Sequence, residues 1–167
     1  MAINLTAGVL QTITEDGQDL LNVPNNYKIS DVPCFHAYRD AGHIAGTAGQ
    51  VIFNHTRVNN GGYYSTATGY FTAPIDGVYW FHCWSMDHGG STQYVNDYYE
   101  LQKNNSDADA DELRIYTSAA QATRSHRCGG KVQYMDAGDT MRIYNQTAHM
   151  YGTSWAYLHW HGFLMQV

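Results

Sequence analysis

From Phe35 to the C-terminus, apolar and polar residues alternate in short runs with a period of two, and no segment sustains the period of a helix. The alternation predicts strands over residues 50–55, 69–72, 78–87, 94–103, 113–118, 125–134, 140–145 and 157–166. Between them lie turn-forming clusters, Asn59-Asn60-Gly61-Gly62 and Pro74-Ile75-Asp76-Gly77, and a polar loop over residues 104–111. Short strands punctuated by turns roughly every 8–12 residues predict an all-β fold, a jelly-roll sandwich of two antiparallel sheets. Residues 1–32 read differently: an apolar start, a polar hinge at Thr14 to Asp19, and two X-Pro steps, Val23-Pro24 and Val32-Pro33, that disfavour helix. They are expected to form an extended arm, and residues 33–167 a single domain.

The last predicted strand is apolar on both sides. Leu158, Trp160 and Leu164 share one parity, while Phe163 and Met165 share the other. A lone sandwich exposes one polar face per sheet, so a strand apolar on both faces is covered on both, by another copy of the chain or by the arm.

One stretch narrows the fold further. Phe53, Asn59, Tyr64, Phe71, Gly77, Tyr79 and Phe81 follow one another with gaps of five, four, six, five, one and one residues. This resembles the signature of the complement C1q globular-head domain, in the same structural superfamily as tumour necrosis factor. Cys83 stands where that signature prefers Phe or Tyr. The closing run Trp160-His161-Gly162-Phe163-Leu164 resembles the family's last strand, and Pro33-Cys34-Phe35-His36-Ala37 resembles its first. The resemblance implies a homotrimer with the final strand near a three-fold axis. It thereby implies Trp160, His161, Phe163 and Met165 as interface residues.

Charge and composition then exclude whole classes. Only 14% of the residues are charged and the net charge is −6, which leaves no electrostatic footprint for nucleic acid or an anionic membrane. No run is long and apolar enough for a membrane-spanning helix. The cysteines, Cys34, Cys83 and Cys128, are odd in number and show no zinc-type spacing. Residues 1–27 lack Lys and Arg and form no continuous apolar core, so no secretory signal is predicted and the chain is expected to be made in a reducing cytosol. On that reading the sequons at Asn4, Asn54, Asn104 and Asn145 are incidental.

Candidate chemistry is sparse. The sequence holds no nucleophile elbow, phosphate-binding Gly-rich loop or zinc-protease helix motif, so no catalytic residue and no resident cofactor is predicted. His159 and His161 fall on one face of the final strand, as ligands for a transition metal or as hydrogen-bonding interface residues. Asp107, Asp109 and Asp111 alternate as calcium-type oxygen ligands would, or as a solvated acidic loop. Tyr63, Tyr64, Tyr98, Tyr99 and Tyr151 lie in or near turns, and aromatic faces there suit contact with sugars or protein. The expectation is a non-enzymatic trimer on a virion, that of a bacteriophage, as a capsid decoration or tail-fibre tip. Residues 1–32 would join it to other virion proteins, and its surface would meet a host glycan or protein. The alternative is a secreted C1q-type recognition module or lectin.

Overall fold

The computed structural model describes residues 2–6, 9–13, 32–40, 42–44, 46–86, 97–105, 113–117, 126–151 and 157–167. The acidic candidates Asp107, Asp109 and Asp111 lie outside them. Twelve strands follow in order: β1 (Ala2–Thr6), β2 (Val9–Ile13), β3 (Cys34–Arg39), β4 (Gly49–Gln50), β5 (His55–Asn60), β6 (Tyr70–Thr72), β7 (Gly77–Met86), β8 (Asp97–Lys103), β9 (Leu113–Thr117), β10 (His126–Met135), β11 (Thr140–Asn145) and β12 (Leu158–Gln166). β1 and β2 pair with each other. The remaining strands form two antiparallel sheets, one in the order β10-β7-β12-β3-β5 and the other β4-β11-β8-β9, with β6 added to β11. This is the predicted jelly-roll sandwich.

Alternation decides which side chains meet between the sheets. In β7, Tyr79, Phe81, Cys83 and Ser85 turn inward while Trp80, His82 and Trp84 turn outward. β3 contributes Phe35 and Ala37, β12 contributes Leu158 and Trp160, and the second sheet answers with Phe71, Tyr99, Leu101, Met141 and Ile143. The core is therefore aromatic. Phe35 stacks on Tyr64 at 5.0 Å and on Phe71 at 5.2 Å, and meets the edge of Trp160 at 4.8 Å.

The residues of the spaced signature hold one another. Asn59 receives the Tyr64 backbone N–H on Oδ1 (3.1 Å) and donates Nδ2 to the Tyr64 carbonyl (2.9 Å). The Tyr64 hydroxyl then accepts the Phe53 N–H (3.1 Å) and donates to the Phe53 carbonyl (3.0 Å), so a side chain replaces a missing strand partner. Gly77 has no room for a side chain, because an added Cβ would lie 2.6 Å from the Gln166 carbonyl oxygen.

Two expectations need correcting here. The predicted strand over 50–55 is two strands in different sheets: β4 pairs with β11 and β5 with β3. Val51 and Phe53 alternate as in a strand, but the segment carries the chain across the core from one sheet to the other, with both side chains buried. Trp160 is not an interface side chain. It is 0% exposed and packs among Phe35, Phe53, Tyr64 and Phe81, because it shares the inward parity of Leu158.

The outward side of the second sheet combines a hydrogen-bonded polar network with tyrosines, among them the exposed Tyr116 packed on Tyr98. Arg114 Nε donates to Glu100 Oε1 (2.7 Å), Gln102 and Gln146 donate to Glu100 Oε2 (2.8 and 3.2 Å), and Arg142 donates to Gln102 (2.9 Å). Burial pushes the Glu100 carboxyl up, and the donors from Gln146, Gln102 and Arg114 together more than reverse it, leaving it below its ordinary 4.5.

Two stability measurements follow. Trp160→Ala should cost about 3–5 kcal/mol in urea unfolding, and Trp160→Phe distinctly less, since Trp160 Nε1 is buried with no hydrogen-bond acceptor among the described residues. Equal losses would show that the indole does not act as core filling. Because the Glu100 carboxyl is held below its unfolded value, its contribution is complete above pH 4.5 and is lost as pH falls through the folded value. Glu100→Gln should therefore flatten the acid limb of stability against pH and cost about 1.5–3 kcal/mol at pH 7; an acid limb unchanged in the variant would remove Glu100 from this role.

Candidate interaction face and metal centre

The outward side of the first sheet is unlike that of the second. Strand register builds it in transverse rows. His161 of β12 is flanked in register by His36 of β3 and His82 of β7. His159 is flanked by Tyr38 and Trp84, and Phe163 by Cys34 and Trp80. Beyond β7, Val132 faces Trp80 and Tyr134 faces Val78. Six large apolar side chains are well exposed among the described residues, and Val58, Val132, Tyr134, Phe163 and Met165 all belong to this sheet.

The face has an apolar end and an imidazole centre. Phe163 is 43% exposed and Val132 53%. A shallow depression of about 430 Å³ joins Phe163 to the centre, lined also by Cys34, His36, Trp80, His82 and His161. At the centre, the His36 and His161 rings lie 4.3 Å apart, and His36 Nε2 is hydrogen-bonded to His159 Nδ1 at 3.0 Å. One of those nitrogens donates and the other accepts, so at least one ring lone pair is turned toward a neighbour. Trp84 packs against His159 at 5.3 Å and His126 at 5.1 Å.

Electrostatics disfavour the charged form of two of these rings. Burial lowers His161 to about 4, assisted by the neighbouring His36, His159 and His82. Burial also lowers His36, with His159 and Arg57 acting in the same direction.

The predicted site residues separate on this geometry. His159, His161, Phe163 and Met165 come together on the outward face. His36 joins the two histidines, a partner with no local sequence signal because it lies at the other end of the domain. Of the tyrosines, Tyr64 (2% exposed) and Tyr99 (0%) belong to the core and cannot form a binding surface. Both sit at inward positions of the alternation, and their neighbours Tyr63 and Tyr98 are half-buried. Tyr98 packs on Tyr116 at 4.9 Å, and Tyr151 on His43 at 4.6 Å. The sequon residue Asn145 is 1% exposed and donates to the Thr47 carbonyl at 2.9 Å, leaving no room for a glycan in the folded chain.

Known structures share this architecture. The globular domain of zebrafish complement 1qA protein superposes with a TM-score of 0.63 at 20% identity, covering 80% of this chain and 97% of that one. Eiger TNF from S. frugiperda gives 0.62 at 12% identity, with coverage of 82% and 95%. Murine APRIL at pH 8.5 gives 0.55 at 10% identity, with coverage of 78% and 98%. At these identities the likeness is one of fold. No curated protein sequence matches the chain. The C1q domain profile matches residues 34–165, most of the chain and all of both sheets except Gln166 at the end of β12, and the chain therefore belongs to the C1q domain family.

Proposed function

We propose that this chain is a homotrimeric recognition module that buries the outward face of the β10-β7-β12-β3-β5 sheet between protomers and works by presenting the remaining surface rather than by catalysis. The observation that carries the reading is the exposure of Phe163, Val132, Tyr134 and Met165 beside Trp80, on a sheet whose counterpart covers its own outward side with ion pairs and amides. A contiguous apolar patch of this kind marks a contact surface. Neutral imidazoles at its centre suit desolvation better than charges do. Three-fold symmetry is what the family resemblance implies for a final strand in this position.

The setting we propose is a virion, as a capsid decoration or tail-fibre tip, with residues 1–32 as the tether to other virion proteins and a host-surface glycan or protein as the ligand. The β1–β2 ladder gives that tether structure of its own ahead of the matched domain. Burial of Asn145 weighs against reading all four sequons as glycan sites of a secreted lectin.

Sedimentation equilibrium tests the assembly. The wild type should sediment as a trimer at micromolar concentration, and Phe163→Arg or Val132→Arg should release folded monomers, since an unpaired charge at an interface costs several kcal/mol. A monomeric wild type, or variants that remain trimeric, would overturn this face as the interface. A chain of residues 33–167 should stay folded and trimeric but no longer incorporate into particles. Normal incorporation without the arm would remove the tether.

A further inference from the structure

The histidine centre is more than a patch of polar rings. His36, His159 and His161 each offer a ring nitrogen, and the three nitrogens lie within 4.8 Å of one another. Tetrahedral coordination at metal–nitrogen distances of about 2.0–2.1 Å needs nitrogens roughly 3.3 Å apart. The His36–His159 nitrogens are 3.0 Å apart in a hydrogen bond, so binding an ion there would break that bond, move its proton to the far nitrogen of its ring and turn the three rings toward one point. The backbone supplies the frame: His36 and His161 are register partners on adjacent strands, and His159 is one step along the same face. All three side chains are half-buried. Frameworks of this kind, on two paired strands of a packed sheet, hold ligands more precisely than loops do.

We propose that His36, His159 and His161 form a binding site for one borderline divalent transition-metal ion per chain, zinc first among them. The ligand set is all imidazole. That excludes calcium and magnesium, which want oxygen ligands, and suits zinc, nickel or copper. Three protein ligands leave a fourth position open toward the outside of the sheet. His82 stands beyond His161, with ring centroids 6.0 Å apart, outside the group that can close on one ion. All three ligands come from one protomer, on the face proposed above to be covered in the trimer, so the site needs no residue from a partner.

Native mass spectrometry of the tag-free full chain tests it, after stripping with chelator and addition of stoichiometric zinc. The expected result is one zinc per chain, three in a trimer, removed again by chelator. His159→Ala and His161→Ala should each weaken zinc binding by at least about 100-fold. His55→Ala, whose ring pairs with Asp40 at 3.0 Å away from the group, should leave it unchanged. The charge-state distribution shows whether each variant is folded. Cobalt(II) added to the wild type gives a reading that needs no variant, with the intense visible bands of low coordination number expected. No retained zinc, zinc bound equally by a folded His159→Ala/His161→Ala double variant, or only the weak spectrum of octahedral cobalt would each overturn the site. The same spectra report trimer or monomer separately: a zinc-free trimer defeats only the metal site, and a zinc-bearing monomer defeats only the assembly.

Discussion

The close approach of three strands over Gly162 fixes the rest of the molecule. Gly162 sits in β12, the middle strand of the first sheet, in register with Phe35 on one side and Phe81 on the other. A Cβ there would lie 2.4 Å from the Phe35 ring and 2.7 Å from the Phe81 ring. Both aromatic rings lean over the empty position, which lets Phe35 stack on Tyr64 and Phe71 while Trp160 meets its edge. Register in a sheet is all or none, because a slip of one residue sends every side chain to the opposite face. Holding Gly162 inward therefore holds Trp160 and Leu158 inward, and it holds His159, His161 and Phe163 outward. The constraint that closes the core also composes the outward face.

That coupling explains what could be read from the sequence and what could not. The signature over 53–81 was legible because its residues act locally. Asn59 clamps the Tyr64 backbone, Tyr64 clamps Phe53, and Gly77 yields to the Gln166 carbonyl. The shared face of His159 and His161 was legible from parity alone. The direction of that face was not, because both parities of the last strand are apolar and period two separates two sets without saying which is inside. Trp160 was misplaced for that reason. Tyr63-Tyr64 and Tyr98-Tyr99 carried a usable hint: adjacent residues in extended chain point apart, so one of each pair was bound to be buried. His36 was hidden because its partners are more than a hundred residues away, and only pairing of the first strand with the last joins them.

The one departure from the signature has a local answer. Cys83 is smaller than the aromatic residue usual at that point, and it is inward and buried. Tyr99 reaches across from the facing sheet, fully buried, with its hydroxyl accepting from Ser85 at 3.1 Å. Burial raises the Cys83 thiol to about 12, so it behaves there as a small hydrophobe with no thiolate chemistry. An aromatic ring supplied by the opposite sheet can thus stand in for one supplied by the same strand, provided the hydroxyl it brings finds a partner.

The two outward faces then divide the work. On the second sheet, Glu100 is buried yet ionised because three neighbours donate to it, and the surface above is complete within one protomer. On the first sheet, the central polar groups are imidazoles, two of which burial and crowding bias toward the neutral form, and Val132, Tyr134, Phe163 and Met165 stand exposed. Imidazole is the one ordinary side chain that can serve a desolvated surface in two ways without changing its charge: by passing a hydrogen bond from ring to ring, or by giving a lone pair to a metal. The His36–His159 contact shows the first arrangement, and the proposed site would exchange it for the second. With no ion bound, a face of neutral imidazoles is less costly to cover than one of carboxylates and ammonium groups would be. Assembly and metal binding, as proposed, would share one surface, and β12 is the strand through which each would be felt by the other.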